Sequence, residues 1–316
     1  MKRPLFTPPT FKQSAWCIGL WLLFYVIAYL FVGLMPAHFV ITASFLLFFI
    51  PNRESRKLAF VLIPFVLFAI SYDWMRLYPN YMVNPIDVQQ IYETEKAVFG
   101  IPTASGVFTA NEYFIQHHWA FLDFLSGLFY LCWVPAPMLF CIGLFLAGER
   151  SLSLKYSIVF LLVNWIGFIG YYIHPAAPPW YVMHYGFTPV LDTPGEVAGL
   201  GRFDELLGVN VFHGIYCHSS NVFAAVPSLH AAYVFSAFLY AVIGRCRCWV
   251  KCLLGFISAG IWFAAVYTSH HYIIDVLLGI LTALIGVALF ELVFLRWKPT
   301  RKAFERYSSL VKTETV

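Results

Sequence analysis

The sequence predicts an all-α fold: a polytopic membrane bundle of about eight helices, judged against the roughly 20 residues that cross hydrocarbon. Three observations predict it. Of the 316 residues, 60% are hydrophobic and only 11% charged, against roughly 45–50% and 25% in a soluble domain, and the mean hydropathy is +0.73. The apolar residues run continuously, as at 60–70 and 280–290, whereas a membrane barrel would alternate over segments of about ten residues. Helices are then the remaining way to satisfy backbone polar groups in lipid. Charge is the third observation, because Lys and Arg sort to alternate connections.

In chain order the apolar segments are 14–33, 37–50, 58–74, 121–146, 154–173, 228–244, 250–269 and 272–297, the second being short. With the N-terminus cytoplasmic, seventeen of the 20 Lys and Arg fall on the cytoplasmic side, and only Arg76, Lys96 and Arg202 on the other. Omitting one helix would scatter the later basic loops to the wrong face. The basic stretch 1–13 leads into a long apolar run without a small-residue cleavage site, which reads as a retained helix. The whole chain, 1–316, reads as one integral membrane domain. Segments 75–120 and 174–227 form extracytoplasmic loops, and 298–316 a solvated, basic cytoplasmic tail. A net charge of +4 gives no sign of a nucleic-acid partner.

Chemistry is expected on the outer face. All ten histidines fall in the two long loops, at outer helix ends, or in the short outer turn at His38. Of the seven cysteines only Cys217 lies in an outer loop, so no disulfide framework is implied. Cys246, Cys248 and Cys252 lack a partnering histidine and read as an inert turn, the alternatives being a metal site or palmitoylation.

The informative stretch begins at Pro227-Ser228-Leu229-His230. Proline at a helix start presets φ, so the following amides and the Ser228 hydroxyl would point outward at a positive helix end, an anion seat with His230 one turn in. Forty residues on, His271 and Asp275 stand at i and i+4, where the carboxylate can hold one imidazole nitrogen and leave the other for a substrate. A histidine so oriented suits a nucleophile or general base. Three other readings stand beside catalysis: a metal site of His230, His271 and Asp275, a proton relay or transporter through the intramembrane Asp275, and a structural pair.

These motifs resemble the second and third signatures of the lipid phosphatase and phosphotransferase superfamily typified by type 2 phosphatidic acid phosphatases. The resemblance narrows to the fungal inositol phosphorylceramide synthases. It does so through Tyr72-Asp73-Trp74-Met75-Arg76, His174-Pro175-Ala176-Ala177-Pro178-Pro179-Trp180-Tyr181, Gly199-Leu200-Gly201-Arg202-Phe203-Asp204 and Thr268-Ser269-His270-His271-Tyr272. The superfamily's first signature, a lysine followed by Arg-Pro, is missing before Pro227. The arginine that commonly opens the third signature would fall at Ala265, and Leu229 replaces a frequent glycine.

The resemblance implies a type 2 phosphatidic acid phosphatase-like helical core and no metal or cofactor. It implies a phosphohistidine at His271, oriented by Asp275, with His230 protonating the departing diacylglycerol oxygen and then deprotonating the incoming alcohol. Arg202 first and Arg76 second are expected to pair with the phosphate alongside Ser228, and Trp180 and Tyr181 to form a lipid wall. The donor would be a phosphatidylinositol-type lipid and the acceptor a ceramide or sphingoid lipid. A superfamily hydrolase using water on a lipid phosphate, and a non-catalytic lipid-binding or transport protein, are the alternatives. Short tails and compact loops point to a bacterial inner membrane with a periplasmic site, the alternative being a Golgi membrane with a lumenal one.

Overall fold

The computed structural model describes residues 6–216 and 221–312; Cys217, Lys2 and Arg3, which figure in the sequence reading, lie outside the described residues. In chain order the helices are α1 (Phe11–Phe31), α2 (Pro36–Phe49), α3 (Arg53–Trp74) and α4 (Gln89–Phe99). A hairpin of β1 (Ile101–Thr103) and β2 (Gly106–Phe108) follows, then α5 (Ala110–Gln116), α6 (Ala120–Leu131), α7 (Pro135–Leu146), α8 (Arg150–Ile173) and α9 (Pro179–Tyr185). Short α10 (Gly201–Leu207) and α11 (Val211–Tyr216) precede α12 (Leu229–Ile243), α13 (Cys248–Tyr267), α14 (Ile273–Ala288) and α15 (Lys298–Val311).

Every apolar segment of the sequence is helical. Among the described residues five helices, α1, α3, α8, α13 and α14 with its continuation to Phe294, are long and apolar enough to cross a membrane. Segment 121–146 is the pair α6 and α7, bent by 48° at a short break that ends at Pro135, and counts as a sixth. The other two, α2 with 14 residues and α12 with 15, fall short of the roughly 20 needed. For α12 the reason is visible: it begins at the buried N-cap Ser228 inside the protein.

The chain divides into two compact units. One comprises residues 1–77, 140–161 and 290–316, the other 78–139 and 162–289. In the first, Asn52 caps α3 by accepting the amides of Glu54 and Ser55, and Glu54 takes Arg150 at 2.5 Å and Lys57 at 3.1 Å. The C-terminal segment, expected to be solvated, forms the amphipathic helix α15, most of whose residues are exposed while one face is docked. It buries Ser308 and Val311, stacks Phe304 on Phe290, and donates the Tyr307 hydroxyl to the Phe60 carbonyl.

The second unit is built on close approach of α8, α12 and α14. A Cβ on Gly279 would strike the Ser228 carbonyl oxygen, so α14 meets the start of α12 backbone to backbone, and one on Gly167 would strike the Leu229 side chain, which packs directly on the α8 backbone. Small residues permit such contact where lipid supplies no hydrophobic drive between helices. Around it lies an apolar cluster of Tyr130, Leu200, Phe203, Phe212, Ala264 and Val276. Ala264 and Ala265 near the end of α13 and Val276 near the start of α14 belong to this cluster and flank the turn between those helices.

Candidate active site

The turn between α13 and α14 carries the third motif. Thr268 ends α13, and Ser269 takes φ +60°, a left-handed conformation that non-glycine residues adopt at a cost. The chain therefore doubles back, and the amides of His270 and His271 both donate to the Ala265 carbonyl at 3.0 Å. Tyr272 then starts α14, with its amide donating to Asp275 Oδ2 at 2.9 Å.

The amides of Trp180 and Gly199 donate to the Ser269 and Thr268 carbonyls at 3.1 and 3.0 Å, and further polar groups of this turn are met by residues from 75–120 that the sequence reading passed over. Glu95 of α4 is fully buried, and its two oxygens accept the amides of Ile273 and Ile274 at 2.9 and 3.1 Å. It thus caps a helix to which it is not connected, a contact worth about 1 kcal/mol for a typical cap. Burial pushes the Glu95 pKa above the usual carboxylate range, against the pull of those two amides. Asn111 of α5 donates to the His271 carbonyl at 2.9 Å and the Val266 carbonyl at 2.8 Å, clasping both ends of the turn.

Inside this frame the His271 ring sits with Nδ1 3.1 Å from the Ala225 carbonyl and 3.4 Å from Asp275 Oδ2. A carbonyl only accepts, so Nδ1 carries the hydrogen and Nε2 is left as a bare lone pair. That Nε2 lies 3.2 Å from His230 Nδ1, which therefore supplies the hydrogen of the contact. Burial lowers the His271 pKa to about 4, with the Ala225 carbonyl pulling the other way, so the ring is neutral at neutral pH. His230 in turn packs against the rings of Tyr130 and Trp133, 4.8 and 5.0 Å away between centroids. A neutral, buried nitrogen lone pair thus faces an imidazole N–H.

The remaining expected site residues are placed differently. Ser228 is fully buried as the N-cap of α12: its hydroxyl accepts the Ala231 amide at 3.4 Å and its own amide donates to the Asp275 carbonyl. Pro227 lies before the cap rather than inside the helix, so Ser228 joins the two motifs instead of offering an open anion seat. Arg202 donates Nε to the buried Asp123 at 2.6 Å and lies over the Tyr267 ring at 5.1 Å, so its charge is already paired. Asp123 also accepts the Tyr267 hydroxyl at 2.9 Å. Its presence in the apolar segment 121–146 was the available signal, since an acid at membrane depth is a functional candidate by default.

Arg202 lines a cavity of about 280 Å³ with Trp180, His184, Glu196, His213 and Ser269. Tyr181 is fully buried, accepting the Val190 amide and donating to the Thr188 carbonyl, and so braces a loop instead of facing lipid. Arg76 belongs to the first unit and is held by Asp73 at 2.6 Å.

The model of the PAP2 superfamily matches residues 89–289. Over 304 residues, 96% of this chain and 100% of the relative, the sequence is 51% identical to a phosphoinositol dihydroceramide synthase of Bacteroides thetaiotaomicron. It is 29% identical over 237 residues, 74% of this chain and 56% of the relative, to the inositol phosphorylceramide synthase catalytic subunit of Saccharomyces cerevisiae. The corresponding subunit of Schizosaccharomyces pombe is 28% identical over 241 residues, 73% of this chain and 53% of the relative. No solved structure matches the chain.

Proposed function

Because this chain belongs to the PAP2 superfamily, we propose that it is a membrane phosphotransferase that moves phosphoinositol from a phosphatidylinositol-type lipid to a dihydroceramide or related ceramide-type alcohol. The observation that carries the chemistry is the 3.2 Å contact between His271 Nε2 and His230 Nδ1. The named activity of the 51% identical relative supports the substrates.

In the first half-reaction His271 Nε2 attacks phosphorus, and the bond from phosphorus to the diacylglycerol oxygen breaks. Protonated His230 gives that oxygen its proton. In the second, neutral His230 takes the proton of the acceptor hydroxyl, whose oxygen attacks the phosphohistidine; the P–N bond breaks, and both histidines return to their starting states. The paired rings stand too close for phosphate to lie between them, so donor binding replaces the imidazole–imidazole hydrogen bond. Asp275 and the Ala225 carbonyl hold the Nδ1 hydrogen throughout, keeping Nε2 the nucleophile.

The multi-pass protein is read as one integral membrane domain in a bacterial inner membrane. Both termini and 298–316 are cytoplasmic, and 75–120 and 174–227, with the histidines, face the periplasm. The distribution of Lys and Arg supports this orientation.

The test is product analysis of the purified protein in mixed micelles of phosphatidylinositol and dihydroceramide. Phosphoinositol dihydroceramide together with diacylglycerol is the expected product pair. Release of free inositol phosphate at an equal rate without acceptor would replace transfer by hydrolysis. Transfer that survives in His271→Ala would overturn the assignment of the nucleophile.

A further inference from the structure

His270 has no part in the mechanism above, although it is buried, 5% exposed, beside the nucleophile. Its Nδ1 lies 3.2 Å from the Thr268 carbonyl and 3.1 Å from the Thr268 hydroxyl. The carbonyl only accepts, so the hydrogen is on Nδ1, and Nε2 is a bare acceptor. Among the described residues that Nε2 has no hydrogen-bond partner. An unsatisfied acceptor of this kind costs about 1–3 kcal/mol, and native structures keep few of them.

Its surroundings point to the reacting centre. The His270 and His230 rings lie against the same Tyr130 ring, at 5.3 and 4.8 Å between centroids. A second ring, Tyr216, sits 4.6 Å from His270. The positive φ of Ser269 and the two amides on Ala265 fix the imidazole at this place. Burial and the neighbouring imidazoles hold its pKa well below the ordinary histidine range, so it stays neutral. A neutral nitrogen lone pair repels a phosphate oxygen and welcomes a hydroxyl.

We propose that His270 Nε2 is a specificity-determining acceptor that takes a hydrogen bond from a substrate hydroxyl other than the one that reacts. This rests on the reading of His230 and His271 as the reacting pair. Two substrate groups share the required chemistry: the ring hydroxyls of the inositol headgroup and the 3-hydroxyl of the ceramide-type acceptor. A site that pairs a buried group with a substrate hydroxyl rejects the analogue lacking it far more strongly than an apolar pocket rejects a methylene.

The experiment compares wild type with His270→Phe and His270→Gln, purified in detergent. The acceptor arm sets dihydroceramide against its 3-deoxy analogue. The donor arm sets phosphatidylinositol against phosphatidylcyclohexanol, whose ring has no hydroxyls. In one arm wild type should prefer the hydroxylated lipid by roughly 10²-fold or more in kcat/KM. His270→Phe should lose that preference by slowing only on the hydroxylated lipid, and His270→Gln, which keeps an acceptor oxygen, should recover part of it.

Release of nitrophenolate from methyl nitrophenyl phosphate should stay within about threefold of wild type in both variants, since that step needs only His271. Undiminished discrimination in both arms for His270→Phe would overturn the proposal, as would loss of nitrophenolate release in parallel with transfer in both variants. Failure of the underlying reading looks different, because wild type itself would then form no phosphohistidine from the nitrophenyl ester.

Discussion

Each unit of the molecule buries a histidine against an aspartate, and the two pairs differ in what they leave over. In the first unit His38 Nε2 meets Asp73 Oδ2 at 2.9 Å, while its Nδ1 accepts the Met35 amide at 3.3 Å. The other oxygen of Asp73 takes Arg76 at 2.6 Å. Both His38 nitrogens and both Asp73 carboxylate oxygens have a fixed protein partner. In the second unit His271 spends Nδ1 on Ala225 and Asp275, and among the described residues its Nε2 meets another imidazole, that of His230. Burial beside an acid is common to both pairs, so it does not mark chemistry. What sets the second pair apart is a ring nitrogen whose partner is another imidazole, and that is the nitrogen the proposed mechanism uses.

Breaking the second pair should have the largest effect. His271→Ala should abolish phosphohistidine formation from phosphatidylinositol and from a nitrophenyl phosphodiester, read by intact-protein mass spectrometry. Asp275→Asn should keep the fold and lower turnover by roughly 10³–10⁴-fold, because an amide can present an N–H to Nδ1 and favour the wrong tautomer. Normal turnover in Asp275→Asn would reduce the aspartate to its cap on Tyr272.

His230→Ala comes next. A general acid contributes roughly 10²–10⁴-fold where the leaving group needs a proton. A lipid alkoxide needs one and a nitrophenolate does not. The variant should therefore fail with phosphatidylinositol yet trap the phosphoenzyme from the nitrophenyl diester. Equal failure with both donors would remove the division of roles between the histidines.

The pH dependence follows from the depressed pKa of His271. The folded protein holds that proton only below about 4, whereas the unfolded chain binds it below about 6.5. The unfolded state thus binds more protons between these values. Stability should fall as pH drops through that window and be unaffected by this group above it. Nitrophenolate release should stay level from neutral pH down to about 5, since Nε2 keeps its lone pair. A half-point near 6.5 would mean that the ring is solvated in the working enzyme.

These comparisons show what a sequence can and cannot carry. The eight apolar segments were legible as helices because hydrophobic runs and basic loops follow from lipid physics alone. The bend before Pro135 and the short α12 depend on packing, and so did not show. At the site, the spacing of His271 and Asp275 was readable because i and i+4 share a helix face. Their frame was not, because Glu95 and Asn111 reach the turn from 178 and 160 residues away in sequence. Arg202 was expected at the phosphate because only three cations fall on the outer face; its partner Asp123, 79 residues away, could not be read from the chain.

Glu95 gives a test of intermediate size. Glu95→Gln presents one acceptor and one N–H to two amide donors, so one donor is lost and one contact turns repulsive. Loosening the start of α14 should lower kcat by roughly 10–100-fold through misplacement of His271, with KM for phosphatidylinositol little changed. A change confined to KM would instead place Glu95 among the groups that contact the lipid.

The smallest effect on turnover is expected in the first unit, where Arg76→Gln tests whether its knot is only structural. A charge-assisted hydrogen bond to substrate phosphate is worth about 1.5–3 kcal/mol, so losing one would raise KM or lower kcat/KM by roughly 10- to 150-fold. Arg76 already gives Nη2 to the Asp73 carboxylate and Nε to the Asp73 carbonyl at 3.0 Å. Its substitution should therefore leave kcat/KM within about threefold, while removing a partner from a buried carboxylate lowers stability by about 1–3 kcal/mol. Substrate titration and thermal unfolding in the same detergent separate the two outcomes. A large rise in KM at unchanged stability would mean that Asp73 releases the guanidinium to the donor phosphate, and that the closed pair is not closed when substrate is bound.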